Sequence, residues 1–505
     1  MSIVDTAPGT ASGRRSIMVA ALLAIFMQAA NIALPNAALL HMAGTLSMSD
    51  DEFGWVFTSY IAANAVVLPV TGWLAGRFGR KIVFQVSLLL FAIALLLDTM
   101  ATTTLQFVFA RILQGAAGGT LVPLSIVILL EQTPAPGHDR INLLWTLTLF
   151  SGMLSGPPIG GWLSEYFGWQ SIFYVSLPLV GFIFLVLALS LTEKKANREV
   201  LFDFFGLATF SLGMVGLQML LDRGERLEWF CSAEIWAEAM ASLLGFYLFF
   251  VHILTSRTHF LEKVLFKDRN YSLSAIMFFA FGFVLLPTLA LTSPMLEELL
   301  GYPTDTTGYM TIPRSVALVG ALFLSWRMPA RLDSRWLIAG GMALVIYGNW
   351  WMTGYSPLMD MRAIAIAGML QGAGLGTLMV VLTRAAFSTL DPALRAEGTV
   401  LFNLSRLYGS TLGIAVVQMF VTTNTQSVHL ALAKNIRPYG SAAHAVGVPS
   451  GSGLAAINAM VTGQAAIVAI VGQFKLLMVA MMLVSPLLLF LRKPSMAGHP
   501  RAGGQ

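Results

Sequence analysis

The chain alternates long apolar runs with short polar or basic breaks. Apolar blocks of roughly 20 residues, the length that crosses a bilayer core as a helix, recur from one end to the other. The pattern predicts helices near 16–40, 54–75, 82–101, 105–130, 141–163, 170–192, 204–222, 234–254, 271–294, 306–327, 336–353, 361–386, 398–421 and 466–491. These fourteen spans describe an all-α integral membrane protein. Composition agrees, since 56% of the 505 residues are hydrophobic and only 11% charged, where a soluble domain carries charge on about a quarter.

Charge adds an orientation. Twenty cations fall in the segments that share a side with the N-terminus, among them Arg14, Arg15, Arg77, Arg80, Lys81, Arg140 and Lys194, and only Arg223, Arg226, Arg362, Lys434 and Arg437 fall opposite. That split predicts both termini on the cytoplasmic side. The net charge of +5 is spread over many short segments, which excludes a nucleic-acid face. Cys231 is the single cysteine and is expected in an outer loop. Arg14 and Arg15 precede a run too long for a signal peptide, so it reads as an uncleaved first span.

The chain also repeats itself. Leu113-Gln114-Gly115-Ala116 recurs as Leu370-Gln371-Gly372-Ala373, and Gly119-Thr120-Leu121 as Gly376-Thr377-Leu378, both at an offset of 257 residues. At that offset Gly152 and Gly156 land on Gly409 and Gly413. The copies lie an even number of crossings apart, which predicts two parallel six-helix halves. Residues 1–195 form the first, 196–262 carry two inserted spans with their linkers, and 263–505 form the second, with a long outer loop at 422–465 and a short cytoplasmic tail.

Few residues suggest chemistry. Arg111 is expected inside the hydrocarbon, where an arginine costs at least about 3 kcal/mol and is tolerated facing a bundle interior or water. Arg314 and Arg406 raise the same question. Gln28, Asn31, Asn64, Gln114, Gln371 and Asn403 either line a central cavity or join helices by hydrogen bonds. Gly152, Gly156, Gly160 and Gly161 allow a close helix contact, and Pro157 with Pro158 bends the same span. Between the second and third spans, Gly72, Gly76 and Gly79 alternate with Arg77, Arg80 and Lys81 in a basic turn on the inner side. No carboxylate lies at the centre of a span: Asp98, Asp222, Glu234, Glu238, Glu297 and Glu298 are expected near outer ends, and Glu131 near an inner one. There is no phosphate-binding loop and no metal-ligand spacing among the histidines, so no enzyme activity, cofactor or metal is expected.

The basic turn Gly72 to Lys81 resembles the inner-loop motif of the major facilitator superfamily, and Arg111-Ile112-Leu113-Gln114-Gly115 resembles its fourth-helix motif. Gly152 to Gly161 is similar to the fifth-helix antiporter motif. Leu221 to Arg226 with Trp229 and Ser232, and Phe402-Asn403-Leu404 with Arg406 and Gly409, resemble the fourteen-helix drug/proton antiporters. The resemblance implies two six-helix bundles plus two extra central helices, with substrate bound between the bundles. It also implies export of hydrophobic or amphiphilic compounds in exchange for protons, gating by the basic turn, and proton movement involving Arg111 and Gln114. In a two-membrane bacterium it allows a periplasmic adaptor and outer-membrane channel as partners. Two departures bear on coupling: the acid of the inner-loop motif is Gly76 here, and no acid precedes Asn31-Ile32-Ala33-Leu34-Pro35 in the first span. An acid in the outer vestibule, Asp98 first among them, is therefore the expected proton carrier, with Arg111 biasing its protonation. The alternatives are a dedicated exporter or facilitator of one metabolite, and a membrane sensor that transports nothing.

Overall fold

Helix ends fall where the sequence supplies breakers and caps. The computed structural model describes residues 11–49, 52–192, 202–256, 263–328, 333–356, 359–391, 394–434 and 451–492. The expected linker cations Lys194, Lys195, Arg198 and Arg257 lie outside the described residues, as do Arg331, Arg437, Lys493 and Arg501. Helix α1 (Ala11–Ala33) stops ahead of Pro35, where a tight turn Leu34–Asn36 leads into a short helix Leu39–Leu46. The first span thus ends before residue 40.

A second difference concerns the basic turn. Helix α2 (Trp55–Phe78), tightened to a 3-10 turn at Leu68–Val70, runs through Gly72 and Gly76, and Gly79, at φ +93°, separates it from α3 (Arg80–Met100). Glycine is costly but permitted inside a helix. The reversal needs a positive φ at one position only, so the expected ten-residue turn is helical on both sides of a single residue.

The remaining long helices are α4 (Thr104–Glu131), α5 (His138–Phe167), α6 (Ser171–Ser190), α7 (Phe204–Arg223), α8 (Ala233–Thr255), α9 (Arg269–Glu297), α10 (Thr304–Arg327), α11 (Ser334–Met352), α12 (Met361–Ser388), α13 (Arg395–Ala433) and α14 (Gly451–Val484). Aspartates cap several of them: Asp203, Asp268, Asp333 and Asp360 accept from backbone amides at the starts of α7, α9, α11 and α12, satisfying donors that a helix start leaves free. Among the described residues, twelve helices are long and apolar enough to cross a membrane. Outside that set, α5 packs along α1 and α10, and α11 along α12 and α14. Much of the expected outer loop 422–465 is helix, because α13 continues to Ala433 and α14 begins at Gly451.

Helices α1–α6 form one bundle and α9–α14 the other. The bundles meet along α5 and α10, and along α2 and α13. At the first seam a Cβ on Gly308 would stand 3.0 Å from Pro158 Cα, and one on Gly161 would collide with the Thr304 carbonyl. Ser315 Oγ donates to Leu154 O at 3.4 Å. Asn36 Nδ2 donates to Leu289 O at 2.9 Å, while its side-chain oxygen accepts from Ser293. These contacts lie away from the side that holds the chain termini, so the bundles are sealed on the far side.

The inserted helices pack on each other through Gly216 and Gly245. Of the two, α7 reaches both bundles. Its part-buried Asp222 accepts from Thr58 Oγ1 of α2 at 3.3 Å, and Gln218 Nε2 donates both to Asp222 and to Thr411 O of α13. Phe210 meets Tyr408 of α13 at 5.4 Å, Phe204 meets Trp73 of α2 at 4.9 Å, and Arg226 pairs with Glu52 at 3.3 Å.

Candidate functional site

Three glycines bring α4 onto α2. A side chain at Gly115 would strike the Tyr60 carbonyl, one at Gly118 the Tyr60 hydroxyl at 2.8 Å, and one at Gly119 the Asn64 carbonyl at 2.8 Å. That approach buries Arg111 entirely, at 0% exposure. Its Nε donates to Val56 O at 3.1 Å and its Nη1 to Asn31 O at 3.2 Å and to Gln114 Oε1 at 2.5 Å. The guanidinium lies 4.5 Å from the Tyr60 ring centre, a favourable cation–π placement in a dry site.

The cluster closes around it. Gln114 Nε2 donates to Asn31 Oδ1 at 3.1 Å, Asn31 Nδ2 to Ser176 Oγ at 3.0 Å, and Gln28 Nε2 to Tyr60 Oη at 3.2 Å. Asp98 faces this group, and the Asp98 and Arg111 charges act on each other.

Asp98 corrects an expectation. Expected in an outer vestibule, it is 0% exposed, and neither carboxylate oxygen has a hydrogen-bond partner among the described residues. The reason is visible in α3, where Phe84, Leu88, Phe91, Leu95 and Asp98 continue one buried stripe at helical spacing. Arg111 Nη2 is likewise buried without an acceptor.

The second bundle holds a smaller cluster. Gln371 Nε2 donates to Thr288 Oγ1 and to Asn349 Oδ1, each at 3.0 Å, and Arg314 Nη2 donates to Leu285 O at 3.0 Å. Gln28, Asn31, Asn64 and Gln371 are all buried, and Gln28, Asn31 and Gln371 tie helices together within a bundle instead of standing on an open cavity wall. Asn64 Nδ2 has no partner among the described residues, and Asn403 Nδ2 donates to Thr399 O of its own helix at 2.9 Å. Arg406, on α13, has a buried Nε without an acceptor. Sequence reasoning missed Tyr60, Ser176, Thr288 and Asn349. Thr288 carried a signal, because it stands 257 residues after Asn31.

The basic residues around Gly79 fasten the near-side ends of neighbouring helices. Arg80 pairs with Glu131 at the end of α4, Lys81 Nζ donates to Ala188 O of α6 at 2.7 Å, and Arg77 lies 5.9 Å from the Trp73 ring centre. On α5, a Cβ at Gly156 would stand 2.8 Å from the Ala33 backbone, and those at Gly152 and Gly160 would collide with the carbonyls of Phe26 and Leu34. Gly161 and the Pro157–Pro158 pair face α10. One helix therefore presents a close-packed face to α1 and another to the opposite bundle.

Two helical bundles with corresponding polar clusters, meeting at a glycine-lined seam within a multi-pass membrane protein, define a transporter of the two-bundle class. Residues 21–414 match the Major Facilitator Superfamily, and the chain belongs to that family. It is 29% identical to the multidrug export protein EmrB of Escherichia coli K12, over 85% of each chain. It is 30% identical to the fatty acid resistance protein FarB of Neisseria gonorrhoeae, over 88% of this chain and 90% of that one. Among solved structures, a bacterial homolog of the human lysosomal transporter Spinster, inward-facing and unoccupied, superposes with a TM-score of 0.63 at 16% identity, covering 96% of this chain and 99% of that one. A mutant of the nucleoside transporter NupG gives 0.63 at 12%, covering 95% and 100%.

Proposed function

We propose that this protein exports hydrophobic or amphiphilic compounds across the plasma membrane in exchange for protons, with both termini in the cytoplasm and the far-side seam facing out. The observation that carries the reading is the buried Arg111 cluster beside Asp98, within a bundle that meets its partner along a sealed outer seam. Relatives named for multidrug export support the substrate range. With the outer seam closed, substrate enters from the cytoplasm or inner leaflet between the bundles, and separation of α5 from α10 opens the outward path. In a two-membrane bacterium a periplasmic adaptor and an outer-membrane channel would carry the compound onward.

Asp98 remains the first carboxylate to test for the proton, now as a buried group of the first bundle. Arg111, held by two carbonyls and Gln114, is the fixed cation that acts on it in the same dry site. The decisive measurement is substrate flux in proteoliposomes under an imposed pH gradient, for the parent, Asp98→Asn and Arg111→Ala. Gradient-driven flux is expected in the parent and lost in Asp98→Asn. Uphill flux surviving in Asp98→Asn discards that residue. A parent indifferent to the gradient favours a facilitator of a single metabolite, a reading to which the missing first-helix acid and Gly76 already lend weight.

A further inference from the structure

The two halves repeat a polar core but not its charge. Glycine contacts fix the correspondence: Gly115 meets the Tyr60 carbonyl as Gly372 meets that of Arg314, and Gly119 meets Asn64 O as Gly376 meets Leu318 O. Tyr60 and Arg314 therefore occupy the same place on α2 and α10. The hydroxyl of Tyr60 donates to Gln28 O at 3.4 Å, and Arg314 Nη2 donates to Leu285 O, the residue 257 positions after Gln28, at 3.0 Å. That offset also carries Asn31 to Thr288 and Gln114 to Gln371, together with the hydrogen bond joining each pair, at 3.1 Å and 3.0 Å.

The offset carries Arg111 to Gly368, where a Cβ would stand 3.3 Å from Arg314 Cβ, and Asp98 to Tyr355. Between the halves the guanidinium has moved from one helix to another, and the carboxylate that faces it has become a phenol. In the first bundle a buried carboxyl group faces the buried cation. In the second, Arg314 is 5% exposed, forms no ion pair among the described residues, and has a buried Nε without an acceptor. Its charge acts on Tyr355. An unbalanced cation this deep is expensive and points to a role. Ser315, next in the chain, donates across the seam to Leu154 O, so Arg314 sits one residue from the surface that must part during transport.

We infer that Arg314 holds the anionic head of an amphiphilic substrate, a carboxylate or a comparably small anion, at the seam side of the second bundle. The inference rests on the export reading and narrows it to one substrate charge. The ligand supplies the carboxylate that the chain itself supplies, as Asp98, in the first bundle, and a guanidinium suits it because its fork of donors matches a carboxylate.

The test is binding by calorimetry to the protein in zwitterionic nanodiscs, using dodecanoate, dodecyltrimethylammonium and dodecanol. The parent should bind dodecanoate about tenfold more tightly than dodecanol, the scale of one charge-assisted contact. Arg314→Gln should erase that preference while leaving dodecanol binding intact. So should Tyr355→Asp, which keeps the arginine but gives it an internal counter-ion. An equal loss of all three ligands in Arg314→Gln, an unchanged carboxylate preference in Tyr355→Asp, or tighter binding of the ammonium each overturns the inference. Competition by phosphatidylglycerol added to the discs would assign the site to a lipid headgroup and overturn it too. Proton-driven flux of all three ligands without charge preference sinks this inference alone, whereas selective dodecanoate binding with no flux sinks the export reading alone.

Discussion

Gly156→Ala probes the contact between α5 and α1 with a single methyl group. A Cβ at this position would stand 2.8 Å from Ala33 C, Ala33 Cβ and Leu34 N. Non-bonded carbons settle at about 3.5–4.0 Å, so the helices must separate by roughly 1 Å. The end of α1 has little freedom to yield, since Asn36 is bonded to Leu289 O and Ser293 of the opposite bundle. Overpacking of this kind costs about 1–3 kcal/mol. Gly320 on α10 is the control, because nothing lies within 4 Å of its Cβ position and alanine there gains helix propensity of about 0.5–1 kcal/mol. Thermal unfolding of the purified protein, followed by tryptophan fluorescence and paired with substrate flux, separates the outcomes. Gly156→Ala should melt lower and transport more slowly, Gly156→Leu should reach the membrane but not transport, and Gly320→Ala should match or exceed the parent. The same melting behaviour for the two alanine variants, or full flux in Gly156→Leu, would refute the close contact as the reason for the glycine.

Three further expectations are simpler to check. Cys231 is exposed and should react with a membrane-impermeant thiol reagent in intact spheroplasts; labelling only after permeabilisation would invert the orientation. Gly79→Val places a branched side chain at φ +93°, a strain of about 1–3 kcal/mol, and should slow turnover of every substrate alike, so a change restricted to one substrate would contradict a gating role. Arg80 and Glu131 keep side-chain exposures of 38% and 25%, so neutralising either should shift unfolding by less than about 1 kcal/mol; a larger loss would show that the pair is held by more than its own attraction.

The helices were legible because membrane spans announce themselves by length and hydropathy, and the repeat because Leu-Gln-Gly-Ala recurs intact. What escaped notice depends on packing partners. Asp98 looked peripheral because it lies near the end of its span, and only the stripe through Phe84, Leu88 and Phe91 reveals that it turns inward. Gly72 and Gly76 suggested a loop because glycine composition alone does not distinguish a turn from a helix passing close to others. The likeness of Tyr60 to Arg314 was hidden because α10 runs three residues out of step with the 257-residue offset, a shift that sequence identity in α4 and α12 cannot report. Helix beyond residue 421 was unexpected because its surroundings there are polar, and a span-length criterion stops where hydropathy falls.

Because α7 is tied at once to Thr58 on one bundle and, through Gln218, to the Thr411 carbonyl on the other, parting the two bundles requires α7 to let go of one of them. On the second bundle the bond to Thr411, at 3.4 Å, is joined by the Phe210–Tyr408 contact. The opposite side has Asp222, the Arg226–Glu52 pair and the Trp73–Phe204 contact along the length of α7. When the bundles part, α7 must release one of them, and the side it releases opens a lateral slot on the membrane-facing flank, a side door whose width is set by a helix belonging to neither repeat.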